Sequence, residues 1–352
     1  MTSLRAVAVA VTAAASIVLA AGGATVDRTP SSSAAPLYAR SLDGRTGISA
    51  IDVRARAAIT WRGGPITAST GEVVHVFVSD LLPAETPEKW AEFLVGLTHG
   101  PELPRATTRL ATLAEVQELC GQGAAGCYRA NEIVTIGEPS PKGDLPEEVL
   151  RHEYGHHVAF HRTNPPWRAI DWGPKNWASA AGVCPRVSRG DAFPGDGGRN
   201  YAQNPGEAWA EVYRLLDERR AGITTGRWPI VSRSFYPSEA ALAAAERDVL
   251  APWAANSNVV QRRVFGRARN QIWWIPLRTP LDGALTVRAT VPRSGLHEVA
   301  LVAPNRRRVL RRAQQVSQRV RSTATTVCGQ RSLFVRVTAR GPGRVVVTVS
   351  TP

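Results

Sequence analysis

The sequence predicts an α+β domain followed by a small all-β sandwich. Two helical segments, near residues 145–160 and 204–216, and short apolar strands before them indicate the first domain. After about residue 257 short strands alternate with turns and no helical pattern occurs, which indicates the second domain. The 352 residues also exceed the roughly 100–200 residues of a single domain. We therefore expect two domains, residues 46–256 and residues 257–352.

The first 24 residues have the features of a secretory signal peptide. Arg5 precedes an apolar run from Ala6 to Ala21, and small residues lie around the end of this run, at positions 20–24. The run is shorter than the roughly 20 residues that a membrane span needs. Residues 25–45 begin with a stretch rich in Ser, Thr, Ala and Pro and are predicted to form a flexible leader. We expect a secreted protein with no transmembrane span after the signal is removed.

Several elements of the first domain are indicated by periodicity. Val73–Ser79 has the apolar composition of a buried strand, and Ile133–Ile136 of a short one. Helical spacing of large apolar residues predicts a helix over Pro87–Leu97, and a further helical pattern at Ser238–Leu250 would close the domain.

The four cysteines are an even number, as expected for a disulfide-bonded secreted protein. Cys120 and Cys127 could close a small local ring, which would leave Cys184 to pair with Cys328 and join the two predicted domains. Three connectivities are possible, and the sequence alone leaves the choice open. A cysteine-based zinc site is the alternative, but no C-x-x-C spacing occurs.

The segment His152-Glu153-Tyr154-Gly155-His156 carries the most specific chemical signal. On a helix, residues four apart lie on one face, so His152 and His156 can share one metal ion. Glu153 lies beside them and can act as general base on a zinc-activated water. The alternative is a solvated His-rich helix that binds no metal. Asp144, followed by a proline and by Glu147, predicts an N-cap with a capping box.

A catalytic zinc ion needs a third protein ligand and an open fourth position. The extended motif with a third histidine is absent, because His161 is one residue off the required position. A helix beginning at Asn204 offers Glu207 and Glu211 on one face, so that one binds the metal and the other hydrogen-bonds a ligating histidine. The alternative is that Glu207 only closes a capping box at the start of this helix. Asp196, in a glycine-rich loop, is the competing ligand.

The two motifs together resemble the gluzincin zinc metallopeptidases, and most of all their lethal-factor-type branch. The resemblance rests on His152-Glu153-x-Gly155-His156 and on Tyr201-Ala202-Gln203-Asn204-Pro205-x-Glu207-x-Trp209-Ala210-Glu211. It implies a zincin-like domain, with an active-site helix and a mixed sheet. It further implies His152, His156 and Glu207 as zinc ligands, Glu153 as base, and Tyr201 as the phenol that stabilises the oxyanion. The chain departs from that branch at Ala208-Trp209, where two aromatic residues are usual.

By the same resemblance, the strand before the zinc helix lies along the cleft. We therefore expect Glu132–Gly137 to pair with an extended substrate backbone, although an ordinary internal strand is the simpler alternative.

Alternating patterns predict four strands in the second domain. They are Leu285–Val291, His297–Val302, Leu333–Val337 and Arg344–Val349. Their spacing, and the Gly-x-Leu-x-Val opening at Gly283, resemble the pre-peptidase C-terminal domains of secreted peptidases. The resemblance implies a role in binding, secretion or self-inhibition.

The net charge of +14 comes almost wholly from 40 arginines, and the codon bias of a GC-rich genome would produce such a composition. The cluster of Arg306–Arg308 with Arg311, Arg312, Arg319 and Arg321 could contact anionic cell-envelope polymers. A solvated basic face is the simpler interpretation. No nucleic-acid-binding module or aromatic stacking pattern accompanies the cluster, so we expect no nucleic-acid partner.

Together these features predict a secreted zinc metalloendopeptidase, which could associate with the cell wall, with Zn²⁺ as cofactor and proteins or peptides as substrates. The alternative is a catalytically silent zincin scaffold that serves as a binding or adhesion protein of the cell envelope.

Overall fold

The computed structural model describes residues 59–224, 227–268, 270–293 and 296–352. The predicted signal peptide and flexible leader lie outside the described residues. Within the described ranges no helix is both long and apolar enough to cross a membrane. The predicted α+β composition is confirmed, and all α-helices of the described residues lie before residue 251.

A five-stranded mixed sheet forms one layer of the first part of the chain. In spatial order the strands are β1 (Trp61–Thr67), β2 (Val73–Ser79), β3 (Thr107–Ala111), β5 (Glu132–Ile136) and β4 (Gly126–Arg129). The three inner strands β2, β3 and β5 are parallel, and the two outer strands β1 and β4 run antiparallel to their neighbours. The predicted strands at Val73–Ser79 and Ile133–Ile136 are confirmed as β2 and the greater part of β5.

Eight α-helices lie in the described residues. In chain order they are α1 (Pro87–Val95), α2 (Leu113–Cys120), α3 (Pro146–Phe160), α4 (Ala169–Trp172), α5 (Lys175–Ala180), α6 (Val183–Arg189), α7 (Pro205–Arg220) and α8 (Glu239–Leu250). Two of them, α3 and α7, are buried along most of their length. The helix α3 packs against β4 and β5 on one side and against α7 on the other. Short 3-10 turns occupy Leu103–Arg105, Tyr201–Gln203 and Arg233–Phe235.

The predicted helix starts are partly corrected. Asn204 caps α7, because its side chain accepts from the backbone N–H of Gly206, and Ser238 caps α8 in the same way through Ala241. Asp144 does not cap α3: its carboxylate accepts from the Ser140 hydroxyl at 2.7 Å, and Leu145 occupies the N-cap without a side-chain bond. The Asp144 carboxylate therefore bonds a serine four residues upstream and not the backbone N–H groups at the start of the helix.

Residues from Ser257 onward form two packed antiparallel sheets with their own apolar core. The four predicted strands are confirmed as β8 (Gly283–Thr290), β9 (His297–Val302), β13 (Ser332–Ala339) and β14 (Gly343–Thr351). Five further strands were not predicted: β6 (Ser257–Phe265), β7 (Gln271–Arg278), β10 (Val309–Arg312), β11 (Gln314–Ser317) and β12 (Val320–Val327). One sheet has the order β10-β9-β13-β7 and the other β11-β12-β8-β14-β6.

Two disulfides join Cys120 to Cys127 and Cys184 to Cys328, so both suggested pairings are confirmed. The second bond links α6 to the end of β12. Beside it, Asp282 accepts a hydrogen bond from the Gly329 backbone at 2.8 Å and contacts the Arg331 guanidinium. Arg331 in turn donates to the Ser179 carbonyl in α5 at 3.1 Å, so polar contacts reinforce this covalent junction.

Candidate metal centre

The centre is built where α3 and α7 approach closely. A Cβ atom added at Gly155 would lie 2.8 Å from the Ala210 Cα of α7, so only glycine allows this approach. The Trp209 indole N–H of α7 donates to the Gly155 carbonyl at 2.7 Å, and this hydrogen bond joins the two helices directly.

Three side chains converge between these helices. The Nε2 atoms of His152 and His156 each lie 3.3 Å from one carboxylate oxygen, Oε2 of Glu207. The three candidate ligand atoms lie within 4.8 Å of one another, and all three side chains are buried. This is the group that the two sequence motifs predicted.

The spacing fits a zinc ion. Ligands bound at about 2.0–2.1 Å in a tetrahedron lie roughly 3.4 Å apart, close to the two 3.3 Å separations seen here. Two imidazoles and one carboxylate are donors that suit zinc and similar transition metals better than magnesium or calcium, which prefer oxygen alone. The residues present therefore fit a divalent ion, whose identity the geometry leaves open.

Glu211 orients the first histidine. Its Oε1 lies 3.0 Å from Nδ1 of His152, and because a carboxylate only accepts, Nδ1 carries the proton and Nε2 is left facing Glu207. Arg214, one turn further along α7, donates to Glu211 at 3.0 Å and to Glu218 at 2.7 Å. Burial opposes charge on Glu211, but the bonds from His152 and Arg214 hold its pKa below the ordinary value.

The buried carboxylates of Glu207 and Glu211 favour positive charge on the groups next to them. Burial disfavours a charged His152, yet hydrogen bonds to Glu207 and Glu211 outweigh it and raise the pKa of His152 to about 10. Burial likewise opposes charge on Glu207, but the neighbouring histidines lower its pKa to about 2. A divalent ion between the same ligands would supply this positive charge while both histidines stay neutral, as metal ligation requires.

Glu153 stands apart from this network. Both of its carboxylate oxygens are buried and have no hydrogen-bond partner among the described residues. Burial raises its pKa to about 8, with the charge of His152 opposing the shift and that of Glu207 adding to it. A buried carboxylate without a partner is costly, so its place beside the metal group calls for a functional explanation.

Tyr201 contacts the same centre from the turn before α7. Its hydroxyl donates to Oε2 of Glu207 at 2.8 Å, and the ring is almost fully buried. Burial, with the nearby Glu207 charge, raises the pKa of Tyr201 well above the ordinary value, so the phenol keeps its proton and remains a donor.

The competing candidates lie elsewhere. The Asp196 carboxylate accepts from the Gly198 backbone at 2.8 Å and from the Asn200 amide at 2.7 Å, which stabilises its own loop. His161 contacts the Asn131 side chain through Nε2. His157 bonds the Glu102 carbonyl at 2.9 Å, and burial lowers the pKa of His157 to about 4. None of these three belongs to the group around Glu207.

The expected role of Glu132–Gly137 is corrected. Its strand, β5, is paired on both sides, with β3 and with β4, and therefore offers no free edge. The outer strand next to α3 is β4, whose second edge pairs with no other strand in the described residues. A Cβ atom added at Gly126 in β4 would lie 3.0 Å from Oε1 of Glu153, so this edge strand passes beside the candidate base.

Two residues of the centre were not found from the sequence. Tyr128 of β4 stacks its ring on His156 with 6.5 Å between ring centroids, a contact between distant segments that no local pattern reveals. Arg214 had a weak signal, because it follows Glu211 by three residues and precedes Glu218 by four on the same helix.

No family model and no curated protein matches the chain. Among solved structures, the pre-peptidase C-terminal domain of a collagenase from Bacillus anthracis has 7% identity and a TM-score of 0.21, covering 27% of this chain and 88% of that one. The capsular polysaccharide assembling protein CapF from Staphylococcus aureus has 12% identity and a TM-score of 0.14, covering 87% of this chain and 79% of that one. Both scores are too low to support an inference, and the gluzincin resemblance rests on the two motifs alone.

Proposed function

We propose that this chain is a zinc-dependent endopeptidase of the gluzincin type. The observation that carries the proposal is the His152, His156 and Glu207 group beside the unpartnered carboxylate of Glu153. Two histidines and one carboxylate leave a fourth position open, which is typical of catalytic zinc sites, whereas structural sites fill four positions mainly with Cys and His. The donor set thus favours a catalytic ion.

A zinc ion held there would supply a Lewis acid and lower the pKa of a coordinated water to about 7. Glu153 takes the proton from the attacking water and returns it to the leaving amine. Its two free oxygens suit this shuttle, because neither must first break a bond with another side chain. Tyr201 turns its hydroxyl from Glu207 toward the carbonyl oxygen as negative charge develops there.

The proposed substrate is an extended peptide segment. The second edge of β4 pairs with no strand in the described residues and passes beside Glu153, so an extended peptide could add there as a further strand once the structure that buries Gly126, Cys127 and Tyr128 opens. Specificity would then come mainly from backbone pairing and from the side chains that flank β4.

Secretion is the proposed location. All four cysteines are disulfide-bonded, a state typical of oxidising compartments outside the cytosol. The predicted signal peptide supports the same location.

One observation favours a second candidate, a metal-holding scaffold with a binding role. His152, Glu153 and His156 are 0% exposed and Glu207 is 1% exposed, so a substrate reaches them only if the surrounding structure opens. A scaffold that retains the ion for stability needs no such opening.

The test combines metal analysis with cleavage of a diverse peptide library by the secreted protein. We expect about one zinc ion per chain and cleavage of some library members. Glu153→Gln should keep the zinc and lose hydrolysis by about 10²–10⁴-fold, since general base and proton delivery are removed together. Glu118→Gln, the same chemical change at an exposed position of α2, is the matched control and should leave both unchanged.

Zinc without cleavage in the parent protein would favour the scaffold. Near-normal turnover by Glu153→Gln would falsify the assignment of Glu153 as base. Absence of bound zinc would remove both candidates.

A further inference from the structure

The net positive charge of the chain comes from the β-sandwich. Residues 257–352 contain 18 Arg, no Lys and only two acidic residues, a net charge of +16. The preceding 256 residues contain 25 basic and 27 acidic residues. A codon bias acts on the whole chain and would not leave one part at −2 and the other at +16. The basic composition is therefore a property of the sandwich and needs an explanation specific to it.

The densest part of this charge lies at one edge of the sandwich. Seven arginines fall within 16 residues, and we call them the arginine edge: Arg306, Arg307, Arg308, Arg311, Arg312, Arg319 and Arg321. They lie on and around β10 and β11, the edge strands of the two sheets on the same side. No acidic residue occurs after Glu298. Among the described residues, Arg312 is the one member with an acidic partner, at 3.5 Å from Glu298.

A groove of about 710 Å³ opens at the same edge. Arg311 and Arg312 contribute charge to it, Gln314, Ser322 and Thr323 contribute hydrogen-bonding groups, and Val309, Leu310, Val316 and Ala324 complete the lining. Arginine presents several N–H groups in one plane and binds phosphate and carboxylate oxygens in pairs. A concave, basic and hydroxyl-bearing surface matches a flexible polyanion that also carries hydroxyl groups.

The lining disfavours nucleic acid. Binding of single strands relies on aromatic side chains that stack on bases, and none of the nine residues lining the groove is aromatic. Two rings on the neighbouring sheet face, Trp274 and Phe334, are covered by the Arg306 guanidinium at 5.5 and 4.4 Å from their centroids. Protection of a sheet edge against aggregation is a simpler explanation of edge charges, but it requires only a few of them and no groove.

We propose that the arginine edge binds a linear polymer of phosphodiester-linked polyols or sugars in the cell envelope. The phosphates would contact Arg307, Arg311 and Arg319, all exposed, and the polymer hydroxyls would contact the polar lining of the groove. Bound in this way, the sandwich holds the whole chain at the envelope. This interaction is independent of the metal centre.

The experiment measures binding of the full-length mature protein to soluble polyglycerol phosphate by calorimetry at about 50 and 200 mM salt. The triple variant Arg307→Gln, Arg311→Gln, Arg319→Gln should weaken binding about tenfold or more and reduce its dependence on salt. The matched control Arg262→Gln, Arg267→Gln, Arg344→Gln removes the same charge around β6, the opposite edge of that sheet. It should change the affinity by less than about threefold, because charges far from the groove are screened.

Equal losses of affinity for polyglycerol phosphate in the two triple variants would show an unspecific effect of net charge and overturn the proposal. Tighter binding of a single-stranded DNA oligonucleotide of equal charge would assign the edge to nucleic acid instead. No binding by the parent protein would also overturn it. Each readout is obtained with or without zinc, so the result stands apart from the proposed peptidase activity.

Discussion

Glu207 is the residue on which the candidate centre depends. Its Oε2 atom accepts a hydrogen bond from the Tyr201 hydroxyl at 2.8 Å. The same oxygen lies 3.3 Å from Nε2 of His152 and 3.3 Å from Nε2 of His156. Asp196 is the competing ligand by sequence, but its carboxylate hydrogen-bonds residues of its own loop. We therefore expect opposite effects on metal binding when these two acidic residues are replaced.

We expect Glu207→Ala to lose zinc and Asp196→Ala to retain it, as measured by metal analysis after dialysis. The first change removes one of three protein ligands, and the second removes only loop contacts. Glu211→Ala should bind zinc about 10–100-fold more weakly, because the His152 ring loses the partner that orients it. The opposite ranking of Glu207 and Asp196 would move the site to the glycine-rich loop and contradict the gluzincin assignment.

Local spacing was sufficient to find His152 and His156, and the pair Glu207 and Glu211, because positions four apart on a helix share a face whatever the surrounding fold. The choice of Glu207 as the ligand came from the family resemblance. Local spacing was insufficient for Tyr128, which reaches His156 only because β4 lies against α3. The capping role of Asp144 was wrong for a related reason. A nearby hydroxyl, Ser140, offered the carboxylate a better bond than the helix end did.

At the scale of elements, the contact between α3 and α7 determines the geometry of the centre. A methyl group at Gly155 would lie 2.8 Å from the Ala210 Cα and 3.1 Å from the Tyr213 Cβ. Because one of these is backbone, the helices themselves must separate to admit it. Separation moves Glu207 away from the histidines on the opposite helix.

Gly155→Ala should therefore lower the free energy of unfolding by about 1 kcal/mol or more, even after the gain in helix propensity, and weaken zinc binding. Urea unfolding and a competitive zinc titration measure the two effects. Gly266→Ala is the matched control, because a Cβ there meets nothing within 4 Å. A stable Gly155→Ala protein with normal zinc affinity would contradict the close packing of these helices.

Strands were predictable where one face is buried and the other is not. The strand β8 alternates buried and exposed residues along most of its length, and β13 and β14 alternate in the same way. In contrast, β6 is exposed at all but its last residue and β11 at every residue, so neither has an apolar period to detect. Sheet order was not predictable, since it depends on which distant strands meet. This is why the free edge was assigned to β5 instead of β4.

At the scale of the whole molecule, the junction with the β-sandwich contains a buried amine. Lys175 of α5 is 1% exposed, and its Nζ donates to the Pro165 carbonyl at 2.8 Å. Gly283 of β8 lies against it, since a Cβ there would come within 2.2 Å of Nζ. Burial lowers the pKa of Lys175 to about 8, although the charge of Asp282 opposes the shift.

The sign of the resulting pH dependence follows from this lowered pKa. Below pH 8 the folded protein keeps a charge that burial disfavours, whereas the unfolded chain holds its proton up to its ordinary pKa of 10.5. Stability should therefore rise between these two values, by on the order of 1 kcal/mol from about pH 8 to 9.5. Lys175→Met should remove this rise in urea unfolding measured at both pH values. An unchanged slope in the variant would show that Lys175 is not its source.

The Cys184–Cys328 bond makes a second prediction for the whole molecule. It closes a loop of 144 residues, and by the chain-entropy model such a loop stabilises the fold by about 4–5 kcal/mol.

The loop contains the exposed link before Ser257, so a protease that cleaves a site inserted at residues 251–256 should leave the two fragments joined by this disulfide. On a denaturing gel the cut protein should run as one species until a reductant is added. The double variant Cys184→Ala, Cys328→Ala should separate without reductant, and Cys120→Ala, Cys127→Ala should not, because its disulfide lies wholly on one side of the cut. Separation of the parent fragments without reductant would mean that the bond does not form in solution, and the sandwich would then be held only by contacts such as that of Arg331 with Ser179.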